Sequence, residues 1–145
     1  MAVRVKLRIR SRLEAGVEVE TVALVNSGFE ADAPEIVIPM RLAERLNLRS
    51  RLLEARVEPY NTVAGPIRMY VLPSSIEVEV VEEDNRSPTV VCDAVISDTE
   101  VEVLISDYLA GALGIVVEDF RDGIWRLKSD PPTRQRRTYK PQLWI

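Results

Sequence analysis

The residues placed to do chemistry lie in Val22-Ala23-Leu24-Val25-Asn26-Ser27-Gly28-Phe29, where an apolar run stops abruptly at an amide, a hydroxyl and a glycine. Asn26 can donate and accept hydrogen bonds, but its amide has no acid–base pKa of use near neutral pH. The other common reactive groups are scarce. There is no histidine and a single cysteine, Cys92, in Thr89-Val90-Val91-Cys92. No intramolecular disulfide can form and no imidazole is present to activate a thiolate, so Cys92 reads as a small apolar strand residue. The usual zinc ligand sets cannot be assembled, and no metal or other cofactor is expected. The acidic run Glu82-Glu83-Asp84 reads as a solvated hairpin tip in preference to a site for a hard cation.

The elements that must position the Asn-Ser-Gly turn can be read from periodicity. Val3, Val5, Leu7 and Ile9 alternate with Arg4, Lys6, Arg8 and Arg10, the period of a half-buried strand. Beyond a turn at Glu14-Ala15-Gly16, Val17, Val19 and Thr21 alternate with Glu18 and Glu20. The two strands should pair as a hairpin with cations facing anions on its outer side. From Val22 the alternation fades into a continuous apolar run, which predicts burial on both faces. Ile36-Val37-Ile38-Pro39 reads as a short strand, and Leu42 and Leu46 line one face of a short helix.

Arg51 to Glu58 is expected as a further strand, followed by a mobile turn at Tyr60 to Pro66. Ile67 to Val81 should form a strand interrupted near Pro73-Ser74-Ser75, with Pro88 to Ile96 as its return partner. Val101, Val103 and Ile105 alternate into one more strand. Ser106 then fits an N-cap, with Asp107 favourable to the helix dipole and Gly114 at the stop. Ile115-Val117 and Ile124-Leu127 close the body as a hairpin. The expected class is mostly β, with one or two short helices and no repeat of solenoid period.

At 145 residues the chain suits one core-forming domain, and 46% apolar with 29% charged residues places it among globular proteins. No apolar run approaches the roughly 20 residues of a bilayer span, and the N-terminus lacks the apolar stretch of a signal peptide, so a cytoplasmic location is expected. Sixteen of the 19 cationic residues are arginine, which suggests ion-paired surfaces and, weakly, a hot environment. The net charge of −4 argues against a phosphate-binding surface over the whole domain. Asp130-Pro131-Pro132 marks a linker, dividing a body at 1–128 from a Pro-rich basic tail at 129–145. That tail carries Arg134, Arg136, Arg137 and Lys140 and then an apolar end. Docking of that end on the body or on a partner is the favoured reading, and a nucleic-acid or oligomerisation arm is the alternative.

In order, these segments resemble the retropepsin-like, single-lobe aspartic protease family over roughly residues 3 to 127. Ala23-Leu24-Val25-Asn26-Ser27-Gly28 matches its Asp-Thr/Ser-Gly element except at residue 26. Ile36 to Pro39 with Leu42 to Leu46 matches the strand and helix that follow. Val103 to Leu109, with Leu113-Gly114-Ile115, matches the closing apolar strand and helix, with Ser106 where the family has glycine. The insertion 30–35 is longer than usual.

The resemblance implies a closed β-barrel or sandwich and a two-fold homodimer, because one lobe makes only half a cleft. Asn26, Ser27 and Gly28 would form the cleft floor. Phe29 and the flap residues Thr62, Val63, Ala64 and Gly65 would meet a peptide or unfolded protein segment. The family's reaction needs two carboxylates sharing a proton, one from each lobe. With Asn26 on both subunits, neither acid nor base is present, so the chain as given is expected not to cleave peptides. Ser27 can still bond across the dimer axis, and Gly28 still permits close approach. Asn26 is open to three explanations: a native pseudoprotease, an engineered block, or slow deamidation to aspartate. Ser106 favours the first, since silencing catalysis needs no second change. Asp32 is a weaker candidate for a replacement carboxylate. An active acid endopeptidase with aspartate at position 26 is the enzymatic alternative.

Overall fold

The computed structural model describes residues 2–25 and 28–145. Its first strand, β1 (Arg4–Ser11), pairs antiparallel with β2 (Glu18–Val25). Val5, Leu7 and Ile9 are fully buried, while the arginines between them face outward. Arg8 stands opposite Glu20 and Arg10 opposite Glu18, the expected cation–anion ladder. On its other side β1 pairs with β5 (Gly65–Val80), where Arg10 meets Glu77 at 3.0 Å and Glu79 at 3.2 Å. Three strands are thus stitched across their outer face by two arginines and four glutamates.

The remaining wall strands are β3 (Glu35–Pro39), β6 (Val90–Ser97) and β7 (Val103–Ile105). Strand order β1-β2-β7-β3-β6-β5, with β1 returning to β5, closes a six-stranded barrel among the described residues. Closure removes the free edges from this wall. One further strand of this sheet lies outside the ring among the described residues: β4 (Arg56–Thr62), an antiparallel partner of β5 that extends as a two-stranded hairpin.

Burial on both faces occurs in β3 and β6 more fully than in the end of β2. Ile36, Ile38, Ala94 and Ile96 enter the main core. Val37 and Val95, pointing outward, join Met69 and Val71 of β5 in a second apolar cluster. In β2 the alternation instead persists, with Ala23 and Val25 buried and Val22 and Leu24 half-buried.

Helix α1 (Met40–Arg45) buries Leu42 and Ala43, and Leu46 follows at its end. The stretch expected as a strand from Arg51 begins instead as a 3-10 helix, Arg49–Glu54, with β4 starting only at Arg56. The i,i+3 pairing of Arg51 with Glu54 at 3.1 Å suits helical spacing, and Leu52 packs on the core. β5 carries the expected interruption: its register with β6 shifts between Leu72 and Ile76, and Ser74 has φ 50°. Helix α2 (Asp107–Ala112) leads into β8 (Ile115–Asp119) and β9 (Ile124–Leu127), the final hairpin of the body.

Residues 129–145 lie along this body. β10 (Arg136–Arg137) pairs with β9. Arg136 is buried, with Nε 2.9 Å from Asp130 and Nη1 2.9 Å from Asp84. Its guanidinium also lies over the Trp125 ring at 5.8 Å. The acidic turn between β5 and β6 is therefore held by arginine: Asp84 pairs with both Arg134 and Arg136. Gly123 turns the last hairpin at φ 67°, and a β-carbon there would sit 2.6 Å from the Thr138 side chain, so glycine lets the tail approach. Farther on, the Gln142 carbonyl accepts the Val22 N–H at 3.0 Å, and Trp144 Nε1 donates to Thr21 Oγ1 at 2.9 Å.

Candidate functional site: a cleft beneath the β4–β5 hairpin

Two of the residues singled out from the sequence, Asn26 and Ser27, lie outside the described residues. Their described flanks are Val25 and Gly28. β2 runs parallel to β7, with Val25 opposite Ile105, so the chain exits beside Ser106 at the start of α2. It continues at Gly28, which lines a cleft of about 940 Å3. The walls come from Phe29, from Val37 and Leu104 on the barrel's outer face, and from Tyr60, Ile67 and Met69 on the hairpin. Glu30 and Glu100 also line it.

The hairpin makes the opposite side. Thr62 pairs with Gly65 across a two-residue turn, and the Thr62 hydroxyl donates to the Gly65 carbonyl at 2.6 Å. Gly65 has φ 108°, a conformation a β-carbon would strain. Thr62, Val63 and Ala64 line the cleft, and Val63 is fully exposed at the tip. Glu58 pairs with Met69 and Tyr60 with Ile67, so these four share the face of the ribbon turned to the apolar cluster.

Two contacts anchor the ribbon to the barrel. Phe29 and Tyr60 meet edge to face at 6.4 Å. The Tyr60 hydroxyl donates to Glu35 Oε1 at 2.8 Å. Burial raises the Glu35 carboxyl above its ordinary range, and the charges of Asp93 and Glu58 add to the effect. The Tyr60 hydrogen bond and Arg56 act in the opposite sense. Burial, followed by Glu35, likewise raises the Tyr60 phenol well above its usual value.

Ser106 fastens the adjoining corner. Its fully buried hydroxyl accepts from Leu109 N at 3.1 Å, the expected N-cap, and from Glu35 N at 3.2 Å. Asp107 N donates to the Phe29 carbonyl at 2.9 Å, and Asp107 Oδ1 accepts from Ala31 N at 3.1 Å. The start of α2 thus holds both ends of the 30–35 insertion. Asp32 in that insertion is exposed and is not part of the cleft lining. Cys92 is buried in the core, which pushes its thiol up to about 12 and leaves it unreactive near neutral pH.

Of the residues named from the sequence, Gly28, Phe29, Thr62, Val63 and Ala64 converge on the cleft, while Gly65 closes its turn. Sequence reasoning missed Tyr60, Met69, Leu104, Glu30 and Glu100 as lining residues. A usable signal existed for the apolar wall: Ile36-Val37-Ile38 and Ala94-Val95-Ile96 are unbroken apolar runs, which demand a second hydrophobic surface outside the barrel. Nothing local marks Glu100, whose loop is turned by Ser97 Oγ accepting from Thr99 N and Glu100 N. Among the described residues no helix is long and apolar enough to cross a membrane. Comparison with protein-family models and with curated proteins gave no match.

Proposed function

We propose that this chain is a retropepsin-like aspartic protease homologue, inactive as given, whose homodimer frames a cleft for an extended peptide. The observation that carries the reading is the convergence of three separate segments on one apolar-walled cleft. They are the exit of β2 at Gly28-Phe29, the β7 side with Leu104, and the tip of the β4–β5 hairpin. In the family resembled, these are the catalytic turn, the strand beside it and the flap. The apolar wall and the hairpin's backbone suit an extended chain that alternates its side chains between pocket and solvent. Asn26 leaves two such turns without the carboxylate pair that would activate water.

The deciding experiment is a paired peptidase assay of the protein and its Asn26→Asp variant, from about pH 3 to pH 7. It is run beside sedimentation at micromolar concentration. The reading expects a dimer, no cleavage by the protein as given, and acid-dependent cleavage by the variant. Cleavage by the protein as given would instead favour an active acid endopeptidase formed through aspartate at position 26. A monomer that is silent in both forms would remove the reading.

A further inference from the structure

The cleft has apolar walls, but its charge is all of one sign. Glu30 and Glu100 line it, and the described lining residues include neither lysine nor arginine. Neither of these carboxylates has an ion pair or side-chain hydrogen bond among the described residues. Behind Tyr60, Glu35 feels the negative charges of Asp93 and Glu58, with Arg56 the opposing cation. Arg56 is itself 3.6 Å from Glu58. Arg68, between Ile67 and Met69, belongs to the other face of β5.

The chain as a whole carries only a modest acidic excess, 23 acidic against 19 basic residues. Elsewhere arginines are matched to carboxylates: Arg8 and Arg10 to four glutamates, Arg4 to Glu102, Arg126 to Glu118, and Arg136 to two aspartates. Two aromatic rings, Phe29 and Tyr60, stand in the same lining, and aromatic rings attract cations.

Taking the peptide-cleft reading as its basis, we infer that the cleft selects extended segments in which an apolar side chain is flanked by lysine or arginine. The apolar residue packs against Ile67 and Leu104, the half-buried members of the apolar wall, and the cation meets Glu30, Glu100 and the aromatic pair. An acidic segment of the same shape would be repelled.

The test uses two labelled heptapeptides, Ala-Lys-Val-Phe-Leu-Lys-Ala and the same sequence with both lysines replaced by glutamate. Their binding to the full chain is followed by fluorescence anisotropy. The lysine peptide should bind roughly tenfold tighter near neutral pH. That margin should shrink between about 20 mM and about 300 mM salt, as charges in a partly exposed cleft are screened. Combining Glu30→Gln with Glu100→Gln should reduce the preference to about threefold, with unchanged circular dichroism. Equal affinity for both peptides, or preference for the acidic one, would overturn the charge selectivity and leave the peptide cleft standing. Absence of binding by either peptide would take away the cleft reading and the selectivity together.

Discussion

Two regions of this molecule treat charge in opposite ways. At the C-terminal clamp, Asp130 accepts from Arg136 Nε, Arg136 Nη2, Leu127 N and Asn85 Nδ2, all within 3.0 Å. Every carboxylate oxygen there is spoken for, and Trp125 covers the guanidinium. Beneath the β4–β5 hairpin, Glu30 and Glu100 line an apolar-walled cleft without such partners among the described residues, and Glu35 is partly buried beside other negative charges. A charge matched on all sides holds the fold. A charge left unmatched beside apolar surface costs the fold something and becomes useful when a ligand supplies the missing partner.

The largest test of this contrast lies in the clamp. Arg136→Met should cost about 3–5 kcal/mol in chemical denaturation, because it strands the buried Asp130 carboxylate. The clamp should also govern acid stability. Arg136 holds the Asp130 carboxyl well below its ordinary range. That contribution is complete above the unfolded carboxyl pKa of about 3.9 and is lost as pH falls toward the depressed folded value. A variant as stable as the parent, with the same acid unfolding, would show that the clamp is ornamental.

Next in size is Ser106→Ala at the corner beside the cleft. Losing the N-cap and the bond from Glu35 N should destabilise by about 1–2 kcal/mol. Restoring the glycine expected from the resemblance should not recover it, since glycine lacks the hydroxyl. Full stability of the Ser106→Gly variant would contradict the role assigned to Oγ.

In the cleft the sign reverses. Because the Glu35 carboxyl is raised, its contribution to stability is complete below the unfolded pKa of about 4.3 and is lost as pH rises through the folded value. Glu35→Gln keeps a partner for the Tyr60 hydroxyl and removes the buried charge. It should raise stability near neutral pH by about 0.5 kcal/mol and flatten the dependence over that window. A loss comparable to that of Arg136→Met would erase the distinction between the regions. Smallest of all, Glu30→Gln and Glu100→Gln should leave stability within about 0.5 kcal/mol, read from the denaturant midpoint.

The fold was legible where one face of an element meets the core and the other meets water. β1 and β2 alternate cleanly for that reason, and Ser106 announces α2 through capping chemistry that operates within four residues. The segment from Arg49 to Glu54 misled because its apolar residues fit either a strand or a tight helix, and contact with the core decided between them. The floor and tip of the candidate site, Gly28, Phe29 and Thr62 to Ala64, were readable from turn chemistry and from the family resemblance. For its wall, the unbroken apolar runs signalled a second apolar surface but not its membership, because Val37, Met69 and Leu104 come from three strands that meet only once the barrel closes.

By itself the sequence determined the β-rich class, the arginine–glutamate hairpin, the two short helices and the absence of a carboxylate at position 26. Each follows from local periodicity or residue identity. Only the tertiary structure decided which carboxylates are matched beyond that hairpin. Arg136 reaches Asp84 across 52 positions of chain and Asp130 across six, while Glu30 and Glu100 reach one cleft with no cation among its described lining residues. Coulomb interactions depend on distance in space and on burial, and neither is written in the order of residues.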